Sequence, residues 1–396
     1  MVGPVEQAGQ AQRRVGTLSI ALFVATTFFF WASLYIYVPI LPSHAQEMGA
    51  SFGMVGLIVG AYGVTQFLLR IPLGVLSDHL GRRKPFIFSG MLAVGLGALG
   101  LALSGDPWLL FLARALTGVG ASSWVAFTVL FSSYFPPGRA VRAMSLVTFV
   151  TGMAQVVSTY AGGQIADALG PVMPFYFAVG LAGLGYAMAG RVNEEANPPA
   201  DGLSMRRVMR IIAVPLLLTV SGIAAVNQYV MFVTTYTFTP LFAEQLGASQ
   251  ADLGLLVTAT LLPYTFGMLT TSWLSERMDD RLVVAWGLGL SAAAVFATPM
   301  VPSLALLIAV QAISGFGRGL AFPVLMGLSI RAVPQHERAT AMGVFQSLYS
   351  IGMFGGPMLG GAIADAFGLP SVFFSTSAIC LLAALLAVVV IPTRKS

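Results

Sequence analysis

Charged residues are scarce in this chain of 396 residues. Asp, Glu, Lys and Arg together make up 9% of it, whereas hydrophobic residues make up 57%. A soluble domain averages about a quarter charged residues, so a chain this poor in charge must keep most of its surface in lipid. The mean hydropathy of +0.85 agrees. The composition excludes an ordinary soluble protein and predicts a membrane protein.

Cysteine and histidine are also rare. The single cysteine, Cys380, lies in an apolar run, so an intramolecular disulfide and a zinc site built on thiolates are both excluded. The histidines, His44, His79 and His336, fall in the predicted connections between apolar runs. A phosphate-binding loop of the form G-x-x-x-x-G-K followed by Ser or Thr is absent. We therefore expect no metal, no cofactor and no enzymatic activity.

The apolar residues form runs that recur about every 33 residues, enough for one bilayer crossing of about 20 residues and a short connection. The runs do not alternate as the strands of an outer-membrane barrel do. We predict an all-α polytopic membrane protein with twelve transmembrane helices. Numbered 1 to 12, they are expected at about residues 16–40, 53–76, 85–104, 108–134, 140–168, 172–191, 209–239, 251–275, 282–301, 304–331, 339–366 and 370–392.

The two parts of the chain resemble each other at a constant offset of 198 residues. Residues 48–51, MGAS, recur as LGAS at 246–249. Residues 162–170 recur at 360–368 with the shared pattern GG-x-IADA-x-G. The repeat indicates that six helices were duplicated.

Two six-helix halves follow from that repeat. We predict an N-terminal half at 1–191, a polar cytoplasmic linker at 192–208 and a C-terminal half at 209–396. Parallel repeats in transporters place a binding site between the halves, near the middle of the membrane.

The basic residues indicate the orientation. All but three of the 20 Lys and Arg residues lie in the two tails or in the even-numbered connections and their edges. Positive charge is kept on the cytoplasmic side of membranes, so we predict a cell-membrane protein with both termini cytoplasmic. The net charge of +5 then reports topology and not a nucleic-acid partner.

Polar side chains within the helices concentrate in helices 2, 4, 5, 7, 10 and 11. Helices 3, 6, 9 and 12 have no Asn, Gln or charged residue in their middles and are expected to face lipid. A charge at bilayer depth costs about 2.5–3.5 kcal/mol, so it usually marks a pathway or a partner. The predicted substrate-binding residues are Trp31, Tyr35, Arg114, Asn227, Gln228, Tyr229, Gln311, Arg318 and Gln346.

Arginine dominates the charges inside the membrane. Arg70, Arg114 and Arg318 lie within helices, whereas no Asp or Glu lies in the middle of one. This excess positive charge favours an anionic or zwitterionic substrate, unless the arginines donate only to backbone carbonyls and amides. It argues against a carboxylate proton carrier, so coupling would use acids at helix ends, such as Asp167 and Asp365, or the substrate. The aromatic helix 1 and the amides of helix 7 suit an amphipathic organic molecule.

A motif ends helix 2, where residues 74–84 read GVLSDHLGRRK. Together with the twelve helices in two halves and Arg114-x-x-x-Gly118 in helix 4, it resembles the major facilitator superfamily of secondary transporters. Within that superfamily the chain resembles the drug/proton antiporter branch. The resemblance implies alternating access, with helices 1, 4, 7 and 10 lining the cavity and helices 2, 5, 8 and 11 forming the moving interface.

The resemblance also implies roles for single residues. The acid at Asp78 would pair with basic residues and with the start of helix 11, and so latch the cytoplasmic side. Arg114 occupies the position associated with proton coupling, and Asp78 is a second coupling candidate. A mirror latch is expected at Glu276. The predicted gating residues are Arg70, Gly74, Asp78, Gly81, Arg82, Arg83 and, in the mirror latch, Glu276, Arg139 and Arg142.

We predict a monomeric, proton-coupled exporter of small amphipathic organic compounds. The glycine and proline run typical of helix 5 in the exporter branch is incomplete there, and Gly355-Gly356-Pro357 in helix 11 resembles it instead. The alternative is therefore an uptake symporter or exchanger for an organic anion, which the unpaired arginines support. A membrane sensor that transports nothing is a remote third possibility.

Overall fold

The computed structural model describes residues 17–135, 140–194, 205–331, 333–334 and 337–393. In these residues the chain forms twelve long helices, which confirms the predicted all-α fold. Helices 1 to 6 are Thr17–Tyr35, Phe52–Leu80, Lys84–Leu103, Pro107–Ser122 continued by Trp124–Ser133, Ala140–Leu169 and Met173–Arg191. Helices 7 to 12 are Pro215–Val233, Gln250–Arg277, Asp280–Ala297, Leu304–Arg331, Arg338–Phe367 and Leu369–Val390.

By length and composition, eleven of the described helices can cross a membrane. The twelfth, helix 11, has 30 residues and packs along helix 2. One end of the bundle carries Arg82, Arg83, Arg277 and Arg331, and we call it the basic end. The other, where helices 2 and 8 begin, is the opposite end.

Helix 1 is shorter than expected, because it ends at Tyr35 and not near residue 40. Turns occupy residues 36–40, and a short helix, Leu41–Glu47, follows outside the apolar span, which ends at Tyr35. Pro39 has no N–H to donate to the carbonyl of Tyr35, four residues back, which favours a break in the helix here. The nitrogen of Val38 donates to the carbonyl of Tyr35, only three residues back, at 3.1 Å.

The corresponding part of helix 7 is built differently. A π-helical turn, Thr234–Phe238, leads into a second short helix, Thr239–Gln245. At the offset of 198 residues Thr237 stands in place of proline, and its hydroxyl donates to the carbonyl of Phe232 at 2.7 Å. Turns of this kind are frequent at functional sites.

The expected start of helix 7, at residue 209, is wrong. A separate short helix, Met205–Ile212, lies at the basic end, and helix 7 begins at Pro215. Val214 has φ −68° and ψ 116° because a residue before proline is disfavoured in the α conformation. The boundaries of the predicted linker stay a prediction, since residues 195–204 lie outside the described part of the chain.

Helices 2 and 8 begin with the same cap at repeat-related positions. The hydroxyl of Ser51 accepts from the nitrogen of Met54, and that of Ser249 accepts from the nitrogen of Asp252, both at 3.2 Å. Such caps satisfy amide groups that a helix start leaves unpaired. Helix 2 ends at Gly81, whose φ of 62° is a left-handed conformation that favours glycine, so the tight turn expected there is confirmed.

Helices 3, 6, 9 and 12 pack mainly against helices of their own half. Their outward surfaces are apolar, and in helix 12 Leu382, Leu385 and Val389 are 65%, 59% and 82% exposed. Helices 2 and 11, and helices 5 and 8, pack against each other across the two halves. This arrangement leaves the polar residues of helices 1, 4, 7 and 10 near the middle.

Candidate functional site: the centre between the two halves

Helix 2 approaches helix 11 closely along a row of glycines. A Cβ added to Gly56 would lie 2.1 Å from the carbonyl oxygen of Pro357, and one on Gly60 would lie 3.0 Å from that of Phe354. A Cβ added to Gly63 would lie 2.7 Å from the Cβ of Met353 and 2.7 Å from the backbone nitrogen of Phe354. Small residues let helix backbones approach closely in membranes. The two halves are therefore packed backbone to backbone here, on the side of the opposite end.

Helices 5 and 8 make the second close contact between the halves. A Cβ on Gly163 would lie 2.7 Å from the Cα of Gly254. One turn further into the membrane, the hydroxyls of Thr159 and Thr258 are 2.9 Å apart. Both glycines are on the side of the opposite end, so this pair closes the same end as helices 2 and 11 do.

Aromatic rings complete the closure near the middle. The rings of Tyr35 and Tyr236, from helices 1 and 7, meet edge to face with centroids 5.7 Å apart. Tyr62 of helix 2 stacks on Phe232 at 6.2 Å. Side chains 36–45 at the end of helix 1 are all buried. The pathway is thus closed between its centre and the opposite end.

At the basic end, Asp78 is paired within its own half. Its carboxylate accepts a hydrogen bond from the guanidinium of Arg83, which also donates to the hydroxyl of Ser77 at 2.7 Å. A Cβ on Gly74 would meet Val125 of helix 4 at 3.6 Å, an ordinary contact. The predicted latch from Asp78 to helix 11 is not this contact, and it stays a prediction for another conformation.

Glu194 is a residue of this region that sequence reasoning missed. Its carboxylate accepts from the backbone nitrogens of Arg83 and Lys84 at the start of helix 3. An anion is stabilised at a helix N-terminus. Lys84 in turn donates to the carbonyls of Gly190 and Val192, which end helix 6, and exposed Arg82 lines the adjoining cleft. The basic motif is therefore tied to helix 6.

The mirror latch cannot be traced in full. Glu276 is exposed at the end of helix 8, and neighbouring Arg277 stacks on Trp273, 3.8 Å from the ring centre. Arg139 and the side chain of Arg142 lie outside the described residues. Their pairing with Glu276 remains a prediction.

Arg70 joins the two halves at mid-membrane and is 3% exposed. Its Nη1 donates to the hydroxyl of Tyr349 at 3.0 Å and to Oε1 of Gln346 at 3.3 Å, both in helix 11. Its Nη2 donates to Gln66 on its own helix. Arg70 thus lies in the interface between the halves, where a gate residue was expected. Gln346, a predicted substrate-binding residue, accepts a hydrogen bond from Arg70 in this conformation.

Arg114 lies in the N-terminal half and is 3% exposed. Its Nη1 donates to the hydroxyl of Tyr37 at 2.8 Å, and its guanidinium carbon is 4.4 Å from the centre of the Tyr62 ring. An aromatic face stabilises a cation at this distance. Arg114 therefore has neutral partners, and among the described residues no acid is paired with it.

The predicted substrate residues fall into two groups. Trp31 and Tyr35 lie next to each other with ring centroids 5.8 Å apart, and Asn227 donates to the backbone carbonyl of Arg318 at 3.2 Å. Buried Gln228, on the same helix as Asn227, has an unpartnered Oε1. These residues belong to the central group.

Two predicted residues lie away from that group. Gln311 donates to the hydroxyl of Thr298 at the end of helix 9, at 3.0 Å, because it lies about two helical turns from Arg318 toward the opposite end. The backbone of Tyr229 packs against Gly352 and Gly356 of helix 11, and its hydroxyl faces Thr376 of helix 12. In this conformation neither residue faces the centre.

Sequence reasoning missed the aromatic and hydroxyl residues that surround the arginines. Trp124 stands 5.0 Å from Trp31, and Tyr236 and Tyr264 flank Arg318. Thr235 is in the π-helical turn of helix 7. No motif singles them out, since tyrosine and threonine are ordinary in membrane helices. Among the described residues, no three His, Cys, Asp or Glu side chains are grouped to hold a metal ion.

The family comparisons agree with this architecture. The model of the Major Facilitator Superfamily matches residues 23–238 and 220–396. The inner membrane transport protein YajR of Escherichia coli is 27% identical over 86% of this chain and 76% of its own length. The quinolone resistance protein NorA of Staphylococcus aureus is 20% identical over 85% of this chain and 88% of its own.

A solved structure shows the same fold. A bacterial homologue of the human lysosomal transporter Spinster, in an inward-facing and unoccupied conformation, matches with a TM-score of 0.79 at 18% identity. The match covers 94% of this chain and 97% of that one. The predicted superfamily and the predicted absence of enzymatic activity are both confirmed. This chain belongs to the Major Facilitator Superfamily and is a multi-pass membrane transporter of small molecules.

Proposed function

We propose that this transporter exports small amphipathic organic compounds across the cell membrane by alternating access, coupled to proton entry. The observation that carries the proposal is the centre between the halves, where aromatic and hydrogen-bonding side chains are buried together and closed off from the opposite end. In a transporter, such a site must open first to one side of the membrane and then to the other. NorA, a resistance protein against quinolones by its name, is a relative over most of the chain and supports export.

The basic end is assigned to the cytoplasm. Positive charge is retained there, and Arg82, Arg83, Arg277 and Arg331 all lie at that end. By this assignment the closed opposite end faces outward, which is the end that an inward-facing transporter keeps closed. Substrate would enter from the cytoplasm in this state.

The chemistry of the centre favours amphipathic compounds. Trp31, Trp124 and Tyr35 offer flat apolar faces, and Asn227 and Gln228 offer amide groups. Apolar walls with a few convergent polar groups are typical of sites for organic molecules.

Proton coupling is assigned to Arg114 and Asp78. Arg114 is held by the hydroxyl of Tyr37 and the ring of Tyr62. A change of charge near Arg114, on the substrate or on an acid at a helix end, would change how strongly Arg114 binds Tyr37 and Tyr62. Asp78 would respond at the basic end, where it is bound to Arg83.

The test uses purified protein in liposomes with an imposed pH gradient. A set of fluorescent amphipathic compounds is screened for uphill movement against the direction of proton flow. Arg114→Ala is expected to abolish gradient-driven movement while substrate exchange without a gradient persists. Arg331→Ala, at the exposed end of helix 10, serves as the matched control and should keep coupled transport. Full coupled flux in Arg114→Ala would contradict the assignment.

An organic-anion importer or exchanger is the second candidate, favoured by the arginines without acidic partners. Reversing the gradient distinguishes the two. Uptake driven by an inward proton gradient would establish a symporter and exclude the exporter.

A further inference from the structure

Arg318 is an unusual residue for a membrane helix. It is the largest described side chain that is fully buried, with 0% exposure, and it lies in the middle of helix 10. A buried cation is normally paired with an acid, because an uncompensated buried charge is strongly destabilising. The groups that act on Arg318 electrostatically are Tyr264, Tyr236 and Cys380, none of them a carboxylate. Among the described residues no acid is paired with Arg318, and the ring of Tyr264, whose centre is 5.9 Å from the guanidinium carbon, gives a cation–π contact instead.

The guanidinium also has unused donors. Nη2 donates to the hydroxyl of Thr235 at 3.0 Å, whereas Nε and Nη1 have no hydrogen-bond partner. Buried donors without partners are rare in native structures, and each one calls for an explanation. Nη2 carries two N–H groups and Thr235 takes one, so the other can combine with a neighbouring free N–H to form a two-pronged donor. That geometry matches a carboxylate.

The position of Arg318 is fixed by the glycines on both sides of it. A Cβ on Gly317 would lie 2.4 Å from the carbonyl of Gly287 in helix 9. A Cβ on Gly319 would lie 2.1 Å from the carbonyl of Tyr264 in helix 8, and one on Gly315 would lie 2.2 Å from that of Thr260. Helix 10 is thus packed closely against the backbones of helices 8 and 9 on both sides of Arg318. A preorganised donor loses little entropy when it binds a ligand.

The surroundings lead from Arg318 toward the centre. Tyr236 lies beside Arg318 and meets Tyr35 of the other half, with ring centroids 5.7 Å apart. Thr235, whose hydroxyl accepts from Nη2 of Arg318, belongs to the π-helical turn of helix 7. A local change in this turn would release Nη2 and open Arg318 to the centre.

Arg114 differs from Arg318 in this respect. Its Nη1 donates to the hydroxyl of Tyr37 at 2.8 Å, its guanidinium lies over the ring of Tyr62, and Nε is its one nitrogen that is buried without a partner among the described residues. The two arginines are not related by the 198-residue repeat, since Gly120 is the counterpart of Arg318 in the first half. Arg318 thus has two buried nitrogens without a partner, and Arg114 has one.

We propose that Arg318 binds the anionic group of the transported molecule, so that the substrates are amphipathic aromatic compounds with a carboxylate. The carboxylate would take the two-pronged donor of Arg318, and the aromatic part would lie against Tyr236, Tyr35 and Trp31. This inference rests on the proposed transport function and names its substrate class.

The experiment measures binding of three matched probes to the purified protein. They are 1-naphthoate, 1-naphthamide and 1-naphthylmethylammonium, which share one ring system and differ in charge. Quenching of intrinsic tryptophan fluorescence and the shift of the melting temperature report binding. Wild type is expected to bind naphthoate at least about 10-fold more tightly than the other two, as hydrogen bonds to a charged group require.

The variants separate charge from shape. Arg318→Gln is expected to weaken naphthoate binding by about 10- to 100-fold and to leave naphthamide binding unchanged, and Arg318→Lys should recover part of the loss. Arg331→Gln, on the same helix at the basic end, is the control. It removes the ion pair of Arg331 with Asp280, so its own melting temperature is expected to fall, but its affinity for naphthoate should match wild type. Equal naphthoate binding in wild type and Arg318→Gln would overturn the proposal.

Wild type alone already decides the question if Arg318→Gln fails to fold. Preference for the ammonium probe over naphthoate would exclude an anion site. A transport measurement in liposomes distinguishes failure of the anion site from failure of the proposed export function. If wild type and Arg318→Gln both export the ammonium probe against a gradient, the exporter stands and the anion site does not.

Discussion

Asp365 accepts a hydrogen bond from the backbone nitrogen of Gly53, with Oδ2 2.9 Å from the nitrogen. The two residues are 312 positions apart and belong to different halves. Asp365 lies in the last turn of helix 11 and Gly53 in the first turn of helix 2. A carboxylate at a helix N-terminus satisfies an unpaired amide and the helix dipole. This contact fastens the opposite end of the transporter.

Removing this carboxylate should loosen the closed end. Asp365→Ala leaves the first turn of helix 2 without its partner, so states open at the opposite end become more populated. The free-energy change is expected to be about 0.5–2 kcal/mol, as for other helix N-terminal contacts. The measurement is the thiol-labelling rate of Thr239→Cys, buried at the opposite end, in a protein whose single native cysteine is replaced as Cys380→Ala. The rate should rise by about 2- to 30-fold.

Asp167→Ala provides the control for that variant. Asp167 is the repeat counterpart of Asp365. The start of helix 8 carries a capping box of Ser249 and Asp252, and no hydrogen bond to Asp167 is found among the described contacts. Its replacement should leave the labelling rate at the wild-type value. Equal acceleration by both variants would mean that general surface charge and not the Gly53 contact controls opening.

Two glycines of helix 2 should respond in opposite directions to the same substitution. Gly56→Ala places a methyl group 2.1 Å from the carbonyl of Pro357, so we expect overpacking to cost about 1–3 kcal/mol and to lower the melting temperature. Gly74→Ala meets only Val125 at 3.6 Å, and alanine is the better helix former by about 1 kcal/mol. Thermal unfolding in detergent should therefore show a loss for Gly56→Ala and no loss for Gly74→Ala. A lower melting temperature for Gly74→Ala would show that helix 2 is packed closely at both ends in solution.

His44 should make stability depend on pH. It is 5% exposed in the short helix after helix 1, its Nδ1 is 3.8 Å from a carboxylate oxygen of Glu47, and its ring packs on Phe175 with centroids 5.1 Å apart. Burial lowers the pKa of His44 below 6.5, while Glu47 opposes the shift. The unfolded chain then binds a proton at a higher pH than the folded chain does, so stability falls as the pH drops below about 6.5 and levels off once the folded form is protonated.

The repeat supplies the variant that tests this dependence. In the second half, Phe242 and Phe373 occupy the positions of His44 and Phe175, and their rings meet edge to face with centroids 5.6 Å apart. His44→Phe keeps the ring contact and removes the titration. The drop in melting temperature between about pH 7.5 and pH 5.5 should be smaller in this variant than in wild type. An identical drop would assign the dependence to other groups.

Several features of the fold follow from local sequence and could be predicted. Gly81 was expected in a tight turn and has the left-handed conformation that glycine favours. Twelve helices were expected from the apolar runs and are present in the described residues. The ends of helices 1 and 7 were placed wrongly, because Pro39 and Pro215 change the backbone within runs that remain apolar.

The site was less predictable than the fold. Arg114, Arg318 and Asn227 were selected because polar groups are expensive in a membrane, and the structure places all three near the centre. Gln311 was selected by the same rule, yet it bonds to Thr298 at the end of helix 9. Polarity alone reveals that a residue needs a partner and not where that partner is.

The sequence by itself determined the class of the protein, the number of membrane crossings, the repeat and the superfamily. These properties follow from the lengths of apolar runs and from short motifs. A run or motif responds directly to the surrounding lipid and to local backbone preferences. Only the tertiary structure decided that Asp365 binds Gly53, that Arg70 binds Tyr349 and that Arg318 has no acid beside it. Those relationships depend on which helix faces meet across the two halves, between residues hundreds of positions apart in the chain, and no local pattern encodes them.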